Sequence, residues 1–118
     1  MKIALKDKLA AFADTWSPRT VAQVDDHAVR LAHLEGDFVW HAHADADELF
    51  LVLDGRFRMD WRDGAEWVET GEMLVVPRGV EHKPFAPERC SVLLFEREDT
   101  VNTGDAADPR TVTQAERI

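Results

Sequence analysis

Between residues 20 and 96 the chain is divided into short stretches rich in Val, Leu, Phe and Trp. Clusters of Gly, Asp and Pro separate them about every eight to twelve residues. That punctuation predicts an all-β fold, because each short strand needs a turn before the next can pair with it. The expected strands are 20–24, 28–34, 38–43, 48–53, 56–61, 67–69, 73–76, 81–85 and 91–96. Asp54-Gly55 is a dipeptide that favours positive φ, and it predicts a tight hairpin between two of them; Asp63-Gly64 predicts a second.

Ahead of this region the periodicity differs. Leu5, Leu9, Phe12 and Trp16 recur at spacings of four, three and four, while Lys2, Lys6 and Lys8 fall off that stripe. This is the pattern of an amphipathic helix over residues 1–16 that packs outside the strands. Residues 99–118 are polar and weakly patterned and form an extension of open role. With 118 residues, 45% of them hydrophobic, the chain suits one domain with one core: helix 1–16, β region 17–98, extension 99–118.

Charge and composition exclude several functions. There are 14 basic residues against 23 acidic ones, a net charge of −9, which repels polyanions and argues against nucleic acid or an anionic membrane as partner. No apolar run reaches the roughly 20 residues that span a bilayer, and the first 14 residues lack the apolar core of a secretory signal, so a cytoplasmic location is expected. Cys90 stands alone beside Ser91-Val92-Leu93-Leu94-Phe95 and reads as a small buried hydrophobe.

The residues that carry chemistry are His41, His43, Glu48 and His82. Imidazole nitrogen and carboxylate oxygen suit borderline divalent metals. On a strand, His41 and His43 share a face about 6.6 Å apart, at about 3.3 Å per residue. Glu48 opens the next strand beside them. His82 follows the Pro77-Arg78-Gly79 turn, which aims its strand back across a closed β architecture. Glu48 precedes Leu49-Phe50-Leu51-Val52-Leu53, where an unpaired carboxylate is costly, so ligation is the economical explanation.

Other residues read as structural. Asp45 and Asp47 suit a solvated turn, His33 a hydrogen-bonded or surface position, and Trp40 packing away from the ligands; His27 carries no signal. Phe50, Val52, Phe57, Met59 and Trp61 form an inward apolar wall, with Arg56, Arg58 and Asp60 outside. Arg30 and Arg78 are the arginines that could reach a substrate carboxylate, and no separate general base is visible.

Two segments resemble the paired motifs of the cupin superfamily. Gly36, His41-Ala42-His43, Glu48 and Gly55 match the first, with four residues instead of five before His41. Gly71, Pro77, Gly79 and His82 match the second, with Ala86 in place of its final Asn. Fifteen residues separate Gly55 from Gly71, similar to small single-domain members.

The resemblance implies a cupin jelly-roll β-barrel with a short N-terminal α-helix, and His41, His43, Glu48 and His82 as ligands of one divalent transition metal: Fe, Mn, Ni or Zn. It implies a small-molecule ligand, anionic or hydroxylated, and a homodimer. The all-apolar run 49–53 independently asks for cover on both faces, from the helix or from a second subunit. The function expected is a metal-dependent enzyme of dioxygenase or isomerase type acting on a small oxygen-bearing metabolite. The alternatives are a noncatalytic sensor or carrier of such a molecule, and a purely structural metal site.

Overall fold

The computed structural model describes residues 1–118. Its elements in chain order are α1 (Leu5–Ala10), β1 (Arg19–Val24), β2 (His27–Asp37), β3 (Glu48–Asp54), β4 (Arg56–Trp61), β5 (Gly64–Glu69), β6 (Met73–Val76), β7 (His82–Arg97) and β8 (Glu116–Arg117). The 16-residue β7 organises the rest. β2 pairs with it antiparallel along one side, while β3 and then β4 pair antiparallel along the other. β6 adds outside β3, β5 outside β4, and β1 with β8 outside β2.

The ends of β7 come together. A straight strand would hold His82 and Glu96 some 45 Å apart at about 3.3 Å per residue. Yet Glu48 is the registered partner of Glu96 and also places its Oε1 3.6 Å from His82 Nε2. β7 is therefore folded over, and its crease lies where the β2–β7 register jumps from Leu34↔Cys90 to Gly36↔Ala86. There Pro87, Glu88 and Arg89 bulge opposite the single residue Glu35. The result is a jelly-roll-like β fold of two layers, and the core lies between them, built on Phe57, Met59, Val52, Val76, Val92 and Cys90, each no more than 1% exposed.

Several expectations are corrected. The sheet is not closed into a barrel, because β5, β6 and β8 each have a pairing partner on one side only. Asp54-Gly55 is a corner and not a hairpin: β3 and β4 both pair with β7, not with each other. Gly55 has φ +82°, and an added Cβ would sit 2.9 Å from the Arg89 carbonyl oxygen, so one crease abuts the other and only glycine fits between them. The Asp63-Gly64 expectation holds as a β4–β5 hairpin in which Trp61 pairs with Gly64.

Residues 38–43 do not form a strand. Phe38 N–H donates to the Pro84 carbonyl at 3.0 Å, but Pro84 has no N–H to return, so the ladder breaks there. The N-terminal helix also ends early, at Ala10. The carbonyls of Leu9 and Phe12 accept from His33 Nε2, and Trp16 adopts φ +59° to stack on Phe38 at 4.6 Å. The extension is ordered: it runs back across residues 37–42 and closes with β8, parallel to β1. No helix is long and apolar enough to cross a membrane.

Candidate metal centre

His41 and His82 come from segments 41 residues apart and are locked by a reciprocal pair of backbone bonds: His41 N–H to the His82 carbonyl at 3.0 Å, and the reverse at 2.9 Å. His43 is held by its carbonyl, which accepts from Gly79 N–H at 2.8 Å. The second-motif turn thus fixes both ends of the His-x-His segment without a regular strand.

The side chains follow one rule. His41 Nδ1 meets the Val39 carbonyl at 2.8 Å, and His82 Nδ1 meets the Val80 carbonyl at 2.9 Å. A carbonyl only accepts, so both Nδ1 atoms carry the proton and both Nε2 atoms keep a lone pair. Ligating nitrogens of His41, His43 and His82 lie within 4.8 Å of one another, and all three residues are buried. Glu48, 4% exposed, brings Oε1 to 3.5 Å from His43 Nε2 and 3.6 Å from His82 Nε2. The structure therefore gathers all four residues singled out in the sequence.

Three of these atoms, His43 Nε2, Glu48 Oε1 and His82 Nε2, are buried without a hydrogen-bond partner. With the proton on His82 Nδ1, His82 Nε2 and Glu48 Oε1 are both acceptors and cannot satisfy each other, and orphaned buried groups of this kind are costly. A divalent cation is the partner that suits all of them, and three buried histidines can hold one.

The electrostatics match a cation-binding donor set. Burial, reinforced by the neighbouring His82, pushes the His41 imidazole down to about 4. Burial also acts against charge on His43, but the Glu48 carboxylate outweighs it and raises that imidazole above its ordinary value. Burial alone would raise Glu48; His43 and His82 reverse this and hold its carboxyl well below the usual range.

A cavity adjoins the site. His41, Glu48 and Glu96 line its polar end, and Trp16, Leu34, Phe38, Phe50 and Leu94 its apolar wall. It gives a water molecule's centre about 40 Å³ to occupy, room for about three waters. Of the expected wall only Phe50 reaches it; Val52, Phe57 and Met59 are buried core, and Trp61 is half-buried near His82.

The remaining residues fall as follows. Arg30 is buried and inward, but its guanidinium is taken by Glu96 at 2.6 Å, Thr20 Oγ1 and the carbonyls of Glu98 and Thr100. Arg78 is on the surface with Asp47. His33 is structural, bonded to Ser91 Oγ at 2.8 Å, and His27 pairs with Asp26. Trp40 lies under the Arg62 guanidinium at 3.9 Å. Burial lifts the Cys90 thiol to about 12, consistent with an inert hydrophobe. Glu96 and Asn102, which also lines the cavity, were not singled out by the sequence. The parity of Glu96 with Leu94 and Val92 was available as a signal for the first; nothing local marks the second.

Comparisons with known proteins agree with this architecture. The family model described as "Cupin domain" matches residues 19–96. An uncharacterized protein of Bacillus subtilis (strain 168), YdbB, is 38% identical over 80 residues, 67% of this chain, and the chain spans 65% of that relative's length. A crystal structure of a cupin-2 domain containing protein from Shewanella frigidimarina NCIMB 400 is 44% identical with a TM-score of 0.80, covering 80% of this chain and 93% of the other. Protein NMB1881 from Neisseria meningitidis is 34% identical with a TM-score of 0.76, covering 82% and 99%. The fold, the gathered histidines and these matches establish that the chain belongs to the cupin family.

Proposed function

We propose that this chain is a metal-dependent cupin enzyme in which His41, His43, Glu48 and His82 hold one divalent transition ion, Fe, Mn, Ni or Zn. A small oxygen-bearing metabolite binds beside it. The observation that carries this reading is the convergence of three unpartnered buried ligand atoms, on His43, Glu48 and His82, beside a cavity that Glu48 and His41 line. A divalent ion held there would polarise a substrate oxygen as a Lewis acid, and an iron ion would support dioxygen chemistry.

The chain's own residues supply the rest. Nδ1 bonds to Val39 and Val80 keep two imidazoles oriented with Nε2 inward. Trp16, Phe38, Phe50 and Leu94 exclude water and limit the substrate to a small molecule. Glu96, whose Oε1 has no partner, is the group placed to exchange hydrogen bonds with that substrate. Three neutral imidazoles and one carboxylate leave a net charge of about +1 on a bound divalent ion, which favours an anionic or hydroxylated ligand. A panel of small hydroxy, keto and enol compounds, assayed for oxygen uptake and product with the iron, manganese, nickel and zinc forms, tests the reaction. Turnover in one form supports an enzyme. Ligand binding without turnover in any form replaces this reading with a noncatalytic binder.

A homodimer is part of the proposal. Leu49 pairs with Val75 and Phe95, and Leu51 with Met73, so these side chains share the outer face of the β6–β3–β7 layer. Helix α1 lies over His33 and does not cover them: Met73 is 64% exposed and Val75 54%. None of the five is charged. For a chain of net charge −9, this is where a second copy can approach without repulsion.

A further inference from the structure

The backbone of the His-x-His segment is held from two directions. His41 is tied to His82 and His43 to Gly79, both from the second-motif turn and strand. Ala42, the one residue between the two histidines, is bound by neither. Its N–H donates to Asp105 Oδ1 at 2.9 Å and its carbonyl accepts from Asp105 N–H at 3.1 Å, so one residue of the C-terminal extension takes both of its polar groups.

Gly104 makes that approach possible. It has φ +54°, and a Cβ there would lie 2.3 Å from the Ala42 carbonyl oxygen and 3.2 Å from His41 Cδ2. No side chain fits without displacing the segment. The strap is itself anchored: Thr103 is fully buried and bonded to Thr111 Oγ1 at 2.7 Å, and Asn102 Nδ2 donates to the Trp16 and Arg110 carbonyls. Arg110 Nη1 reaches the Asp37 carbonyl at 2.9 Å, just ahead of the segment.

We propose that Asp105, seated by Gly104, is a positioning residue that sets the relative placement of His41 and His43 by clamping the peptide between them. The inference rests on the metal reading above. Asp105 is itself surface-exposed, so its replacement by Ala removes the Oδ1 half of the clamp, leaving only the backbone bond to the Ala42 carbonyl, without opening the core.

The test is Co²⁺ titration of the full chain and its variants, followed by visible absorption, with thermal melting of the metal-free forms alongside. Asp105→Ala is expected to weaken Co²⁺ binding about tenfold or more, the effect usual for residues that support ligands, and to alter the Co²⁺ spectrum. Asp105→Asn keeps both bonds to Ala42 and is expected to stay within about threefold of wild type on the same scale. Gly104→Ala, tested where it folds, is expected to weaken binding at least as much as Asp105→Ala.

Wild-type affinity and spectrum in Asp105→Ala overturn the clamp while leaving the metal reading intact. Equal losses in Asp105→Ala and Asp105→Asn also overturn it, because the residue then acts through charge and not position. A lower melting temperature with unchanged Co²⁺ binding marks a purely structural strap and overturns it too. Failure of the wild-type chain to bind Co²⁺ removes the metal reading and the clamp together.

Discussion

Glu48 and Glu96 stand opposite each other as registered partners on β3 and β7, two buried carboxyl groups side by side with opposite proton preferences. His43 and His82 keep Glu48 low, whereas burial and the charge of Glu48 push Glu96 well above its ordinary value, against the pull of Arg30. A group raised on folding gives up stability as pH climbs from its unfolded value toward its folded one, since the unfolded chain releases the proton first. Glu96→Gln keeps an acceptor for Arg30 and cannot ionise. In the metal-free protein it should therefore raise the melting temperature at pH 7–8, with the gain vanishing near pH 4. A variant that melts below wild type at pH 8 would contradict this assignment.

The histidines should titrate in a fixed order. His43 is raised above 6.5 and His41 is lowered to about 4. Ligation needs neutral imidazole, so acid competes with metal first at His43, and affinity should fall as pH drops through its raised value. His41 adds to that loss only as pH nears 4. Ring-nitrogen NMR of the metal-free protein reads both groups directly, and His41 taking its proton before His43 would refute the picture.

Trp16 should control the size of the cavity. It adopts positive φ, stacks on Phe38 with ring planes 11° apart, and donates from Nε1 to the Glu35 carbonyl at 2.9 Å. Trp16→Ala is expected to cost about 3–5 kcal/mol in urea unfolding and to shift binding toward bulkier ligands. Trp16→Phe keeps a stacking ring and loses the hydrogen bond, at about 1 kcal/mol. Equal stability of the two variants would mean that the stack contributes nothing.

The apolar outer face predicts assembly. The wild-type chain should sediment as a dimer at micromolar concentration, and Val75→Lys with Met73→Glu should sediment as a monomer with its fold intact by circular dichroism. A wild-type monomer at that concentration would leave the exposed Met73, Val75 and Phe95 without the proposed partner.

The legibility of this chain divides by range. Strands β1, β3, β4 and β6 were readable because each alternates or runs apolar between turn residues, and the ligand spacing of His41, His43, Glu48 and His82 stands in the sequence itself. What misled was local chemistry overruled by pairing. Pro87-Glu88-Arg89 looks like a break, but β2 on one side of β7, and β3 and β4 each on the other, hold it together through a bulge. Asp54-Gly55 has hairpin chemistry, yet both flanking strands find β7 before each other. Glu96 pairs with Arg30 66 residues away, and Asp105 binds Ala42 63 residues away, separations at which no periodicity signals contact.

The most direct test of the account is a crystal structure of the protein grown at neutral pH with iron, manganese, nickel or zinc, with anomalous scattering recorded at the metal edge. The predicted result is one ion bonded to nitrogen of His41, His43 and His82 and to a Glu48 oxygen, at roughly 2.0–2.2 Å. An anomalous map empty at that point for all four metals, with the side chains in place, would contradict it.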